Sequence, residues 1–583
     1  MRSAESNIED RARPLSDPVE LRIHGVGGTT PEVLLGHPHP VQVAGDESAG
    51  FYRRPDTNAI EAYSWGGITS RSGSRALWLL LLPFALTNAA GFMLVGGNSP
   101  RLRLARGLLR LLALSVTVLF VLWAGGLALD LVAYQCGGSN ACAGAQWWLR
   151  ILEFQSLEGH PARRMAVGMV IPAAVIWAMR RATAFTRTRY EEAFGSEPVE
   201  NEDPPQPSGS PDPVTWAGLA DRVFWHSARF NESLTRAHVG AATAALAGAS
   251  AYAGWRIRDA AGENGDLDRW LVVTAAAVGV IAGISVVYAG RRLSAWLPQV
   301  GWLLVGAVAI ANLVRPAALT VSGEDLPGYS RAALITGLAG LVLAVLLMIT
   351  LIGTGPGRLI PPVATTSIGV FAMGAFLVGS HIRLADWLGD RAGRGGQPQI
   401  VYSPAYDWFA LGSFALLATM VTTAAVGWLW LRRQGRSEPR LDDIARRYPP
   451  ADLTAERARW LGRIARGEAV SRLVDEADRV LAMVLAAVLA GALAFYGVRT
   501  FVSGSPLGPI AAVPQGWRGL IPPATWVCSM LPLAGLVVMY ASFRNPGTRR
   551  RVGIIWDLAT FWPRWFHPLA PPPYAARAIP ELG

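Results

Sequence analysis

Uninterrupted apolar stretches recur along this 583-residue chain. Most are roughly 20 residues long and almost free of charge, long enough to cross a hydrocarbon core of about 30 Å as a helix. A soluble chain breaks its apolar residues into short periodic runs, because each surface helix or strand keeps one face in water. Only 16% of the residues are charged, against about a quarter in ordinary soluble domains. The fold class that follows is mainly α: a polytopic membrane helix bundle of about ten spans, preceded by a small α/β segment.

The expected spans are Leu108 to Tyr134, Met165 to Met179, Val239 to Trp255, Trp270 to Gly290 and Leu293 to Val314. Ala332 to Gly353, Leu359 to Ile382, Trp408 to Leu431, Val480 to Val498 and Gly519 to Ala541 complete the set. Met165 to Met179 is short, but Arg163, Arg164, Arg180 and Arg181 flank it and can snorkel. Ala76 to Gly97 is a further apolar block. With Pro83 and Asn88 in its middle it reads as an interfacial or re-entrant helix, and a full crossing there would make eleven spans.

Arginine fixes the orientation. Residues 180–236 and 432–479 are rich in Arg and are expected to be cytoplasmic loops. Counting from them places Arg101, Arg103, Arg106, Arg291 and Arg292 inside, and Cys136 and Cys142 outside. If Ala76 to Gly97 does not cross, both termini are cytoplasmic.

The formal charge of +11 gathers at the ends of the apolar blocks, where it anchors helices, so nucleic-acid binding is not expected. Every basic side chain is Arg; the chain has no Lys. That removes P-loop nucleotide chemistry and Lys-dependent covalent catalysis. The expected organisation is a soluble α/β segment over 1–75, the bundle over 76–541 and a soluble tail over 542–583. Ser196 to Pro213 is acidic and Pro-rich and reads as a linker. Leu441 to Leu473 spaces Ile444, Trp460, Leu461 and Ile464 as amphipathic helices do.

The sharpest local signal is VELRIHGVGGTTPE, Val19 to Glu32. Val19, Leu21 and Ile23 alternate with polar residues as a half-exposed strand does, with a pairing partner expected near Ala59 to Trp65. Gly25, Gly27 and Gly28 then allow a turn with uncovered backbone amides. Thr29 or Thr30 can cap a helix begun by Pro31, with Glu32 in its first turn. A dinucleotide fingerprint fits poorly, since Thr30 stands where a third Gly is needed. His24, Gly25, Val26, Gly27 and Gly28 fit better as an oxyanion loop, whose amides hold the O⁻ of a tetrahedral intermediate. A Gly-rich turn with no ligand is the plainer alternative.

Those residues, the segment AYSWGGITSRSGSRALWLLLLPFALTNAAGFM, the loop after LALDLVAYQC and the tail VGIIWDLATFWPRWFHPLAPPPYAARAIPEL resemble a family of large actinobacterial multi-pass membrane proteins with lipase-like α/β-hydrolase regions. The resemblance runs over nearly the whole chain. It implies a hydrolase split by a membrane insertion, located in the bacterial plasma membrane. The chain departs from that pattern at the nucleophile: it contains no Gly-x-Ser-x-Gly, and the nearest run, Gly328 to Ala332 around Ser330, lacks the closing Gly. The expectation is therefore a platform holding the oxyanion side of a serine-hydrolase-like enzyme. As a lone chain it should be inactive, the nucleophile coming from a downstream chain or extension. A transport or channel protein and a membrane scaffold are the alternatives. The spans offer chiefly Ala, Gly, Leu, Val and Thr, which favours platform over pathway.

Other candidates carry less. Cys136 and Cys142 could form a disulfide or remain two thiols. His37 and His39 with Asp46 and Glu47 read as a surface loop, and no metal or cofactor is expected. Cys528 reads as packing, and Asp130, near the end of its span, is expected to reach the interface. Membrane lipids are the expected surroundings.

Overall fold

A computed structural model describes residues 19–23, 29–70, 78–94, 99–144, 147–187, 228–288, 291–315, 317–320, 324–392, 400–434, 438–447, 460–471, 497 and 512–582. The linker Ser196 to Pro213 and, apart from Gly497, the expected span Val480 to Val498 lie outside them.

Near the N-terminus four short strands form one sheet in the order β1-β4-β3-β2: β1 Glu20–Ile23, β2 Val41–Gly45, β3 Gly50–Arg54 and β4 Thr57–Ser64. The expected pairing of β1 is present and parallel, with Glu20 opposite Ile60 and Ile23 opposite Tyr63. A short helix, α1 (Pro31–Leu35), follows β1. The remaining strands are antiparallel.

The bundle begins with α2 (Leu82–Phe92) and α3 (Pro100–Gly125), which continues as a π-helix from Gly126 to Gln135. It proceeds through α4 (Pro161–Gly168), α5 (Val170–Arg187), α6 (Ala228–Ala260), α7 (Asp266–Tyr288) and α8 (Leu297–Val314). Then come α9 (Tyr329–Leu351), α10 (Pro356–Ala392), α11 (Pro404–Gln434), α12 (Ile521–Arg544), α13 (Pro546–Ala559) and α14 (Ala575–Leu582). Among the described residues 7 helices are long and apolar enough to cross a membrane, fewer than the ten expected. The expected spans Val239 to Trp255 and Trp408 to Leu431 fall within α6 and α11, helices of 33 and 31 residues.

The modest hydropathy of α6 has a physical reason. Its residues face other helices rather than lipid, so small side chains serve better than large apolar ones. A Cβ at Gly240 would lie 2.7 Å from the Leu297 Cβ, and one at Gly301 would lie 1.9 Å from the Thr243 hydroxyl oxygen. Backbones approach closely there because Gly permits it. By contrast α9 has only 17% of its apolar window buried and turns most of its surface outward.

Within the apolar block at Ala76 to Gly97 the described residues form a helix over Trp78–Phe92, shorter than the helices counted as long enough to cross a membrane. It is buried in protein instead. Asn88 holds the C-terminal segment by donating to the Pro563 carbonyl at 2.9 Å and accepting from the amides of Phe566 and His567. Phe566 packs on Gly91, where any Cβ would overlap its ring.

The two ends of the chain meet. Tyr63 donates to Glu581 at 2.6 Å, Arg577 donates to Asp46 at 3.0 Å and to the Ala49 carbonyl at 3.2 Å, and Trp65 stacks on Tyr574. Burial and the neighbouring Glu581 carboxylate both push the Tyr63 phenol above its ordinary value. Burial would raise Asp46, but Arg577 and the amides of Ser48 and Ala49 outweigh it and hold the carboxyl below its usual range. Farther along, Glu438–Arg447 and residues 460–471 turn the expected amphipathic residues toward each other, Ile444 against Leu461 and Ala465.

Candidate functional site

The residues read as an oxyanion loop, His24, Gly25, Val26, Gly27 and Gly28, lie outside the described residues. Their flanks are described, and both are fixed. Ile23 closes β1 beside Tyr63 of β4. On the far side the buried Thr29 accepts, through its carbonyl, a hydrogen bond of 2.9 Å from the Ser64 hydroxyl. Thr30 is extended at the helix N-cap, and its carbonyl accepts from Val33 and Leu34 while its side chain makes no cap bond. Pro31 and Glu32 occupy the first turn. Arg22 reaches from β1 to the Leu34 carbonyl at 2.9 Å. The described residues on either side, Ile23 and Thr29, thus lie at the carboxyl ends of two parallel strands, the edge where α/β sheets bind ligands.

Ser330, in the first turn of α9, donates to Asp325 at 2.6 Å. Its hydroxyl is engaged in closing the turn that starts the helix. Cys136 and Cys142 are joined in a disulfide with Cα atoms 5.2 Å apart, and both are buried. His37 accepts from the His39 amide, and no group of three or more potential metal ligands occurs among the described residues. Cys528 is buried between helices, its carbonyl close against Gly379.

A second constellation was not legible in the apolar blocks. Asp130 does not reach the interface as expected; it is 4% exposed and lies on the π-helix, its Oδ1 accepting from Gln135 and from the Leu326 amide, each at 2.8 Å. Gln135 also exchanges hydrogen bonds with both backbone groups of Val401. Buried Arg164 donates to the Ala133 carbonyl, compensating the altered ladder of the π-helix. The chain is thinnest at Gly125 and Gly126, where α3 becomes π-helical. A Cβ at Gly125 would lie 1.7 Å from the Tyr329 hydroxyl oxygen, and one at Gly126 would lie 3.2 Å from the His381 ring. His381 packs in turn on Tyr406, ring centroids 4.6 Å apart. Four helices therefore bring Asp130, Tyr329, His381 and Tyr406 together.

A third set joins bundle and tail. Thr117 lies 2.8 Å from His238 Nδ1 and 3.3 Å from His567 Nε2, all three buried. The Leu569 amide donates to His567 Nδ1, so Nε2 carries the proton and can donate to the Thr117 hydroxyl, which also lies within reach of the Ala113 carbonyl as a donor. The spans are chiefly small and apolar as expected, and these few polar groups come together from separate elements within them and at their ends.

Comparison with known proteins finds no matching family model, no matching curated protein and no matching solved structure.

Proposed function

We propose that the chain is a membrane platform that presents the oxyanion side of a lipase- or esterase-like α/β-hydrolase. The parallel pairing of β1 with β4, which with the Ser64–Thr29 hydrogen bond places Ile23 and Thr29 at the carboxyl edge of the sheet on either side of residues 24–28, carries this reading. Uncovered amides there would stabilise a developing oxyanion. The contacts of Tyr63 with Glu581 and of Arg577 with Asp46 join the sheet to the tail. The 583 residues contain no Gly-x-Ser-x-Gly, so in this reading the nucleophile comes from another polypeptide segment. We place the bundle in the plasma membrane with both termini cytoplasmic, a reading supported by contact between the two ends and by the Arg-rich loops.

The test is covalent labelling by a fluorophosphonate. The chain alone should remain unlabelled and inactive on esters, whereas a longer form or a co-expressed downstream hydrolase segment should be labelled. In that active form Gly27→Val should lower the acylation rate by about 10²–10³-fold, the loss typical of one oxyanion donor. Labelling of the lone chain, or an active form indifferent to Gly27→Val, would overturn the proposal.

A further inference from the structure

The cluster around the π-helix is independent of the hydrolase reading. The Tyr329 hydroxyl and both ring nitrogens of His381 are buried and have no hydrogen-bond partner among the described residues. Buried polar atoms are ordinarily satisfied, and three orphans on two side chains that both border Gly126 are a reason to look for a ligand. A neutral imidazole needs one donor and one acceptor, and a phenol offers both. An occupant able to donate and accept at once matches this pair.

The surroundings indicate how such an occupant arrives. Asp407 and Tyr402, both half-buried at the start of α11 and just before it, are in hydrogen-bond contact at 3.4 Å. The Tyr402 and Tyr406 rings lie 6.3 Å apart, and Tyr406 packs directly on His381. A series of exchangeable groups thus leads from a partly exposed carboxylate to a 2% exposed imidazole. The titratable groups on the facing elements are Asp130 on the π-helix and Asp325 before α9. Arg383 and Asp386, on α10 itself, pair with each other on its exposed side, and Arg164 of α4 is committed to the Ala133 carbonyl.

We propose that Asp407, Tyr402, Tyr406 and His381 form a proton-access path into the bundle that ends at the Tyr329–His381 pair. A solvent proton enters at Asp407, passes along the two phenols with bridging solvent, and is accepted by a ring nitrogen of His381. Imidazole becomes imidazolium, and no other bond is made or broken. Asp130 is a further ionisable group on the neighbouring helix, and ionisable groups inside a bundle commonly mark such routes.

The experiment is nitrogen NMR of ¹⁵N-histidine-labelled full-length protein in phosphatidylglycerol–phosphatidylethanolamine vesicles. The His381 signals are assigned by their loss in His381→Gln, or in His381→Asn if the first variant does not fold. Acidification should convert His381 from imidazole to imidazolium, and its N–H should exchange with deuterium quickly. Tyr406→Phe should slow that exchange about tenfold or more, as expected when a buried group must await local opening. Asp407→Asn, at a half-buried position that leaves the packing intact, should slow it in the same direction. A His381 that stays neutral through acidification, or exchange unchanged in both variants, would overturn the proposal.

Discussion

Two buried polar regions of this bundle differ in how far their hydrogen-bonding capacity is filled, the first leaving only Asn312 Nδ2 of its Arg–Asp–Asn group without a partner among the described residues. At the end of α6, the fully buried Arg258 pairs with Asp268 through two hydrogen bonds, and donates to the Arg315 carbonyl at 3.0 Å and to Asn312 at 2.9 Å. Arg315 adds a second cation to Asp268 at 3.0 Å. At the π-helix, by contrast, Tyr329 and His381 are as deeply buried and have orphaned atoms. The first region ties α6, α7 and α8 together. The second keeps polar groups in place without spending them on structure, the usual mark of a site rather than a joint.

Four substitutions would break or sharpen that contrast. Arg258→Ala strands a buried carboxylate with only part of its partners and should cost about 3–5 kcal/mol, seen as a large loss of thermal stability of the detergent-solubilised chain. Little change would mean the pair is not buried in solution. Gly125→Ala forces a methyl group into the Tyr329 hydroxyl, and overpacking of this kind should cost about 1–3 kcal/mol in the same assay.

Tyr329→Phe should act with the opposite sign. Removing a buried hydroxyl that has no partner among the described residues relieves a desolvation cost, so stability should stay level or rise by up to about 1 kcal/mol. A fall of more than about 1 kcal/mol would show the hydroxyl satisfied within the protein and erase the contrast.

The smallest effect belongs to the exposed joint between sheet and tail. Asp46 is ordinarily near 3.8 and lies lower in the folded chain, so its contribution is complete above that value and is lost as pH falls through the depressed one. Its side chain is 59% exposed, so Asp46→Asn should cost less than about 1 kcal/mol. The fluorescence of Trp65, stacked on Tyr574, should report loosening of this joint in acid, and Asp46→Asn should flatten that response.

Apolar run length and Arg distribution determined, from the sequence alone, that this is a helical multi-pass chain, because bilayer thickness converts directly into residue count. Alternation at Val19 to Ile23 and the Pro at 31 determined a strand and a helix start at those residues, since these are local backbone preferences. The pairing of β1 with the strand at Ala59 to Trp65 was expected from the sequence, but only tertiary structure decided that it is parallel, that Arg577 and Glu581 close on the sheet from more than 500 residues away, and that Asp130 faces inward. Tyr329, His381 and Tyr406 come from three separate helices, and no local pattern records that they meet. Their convergence depends on Gly125 and Gly126 having no side chain where α3 widens into a π-helix, a property of packing between helices and not of any one segment.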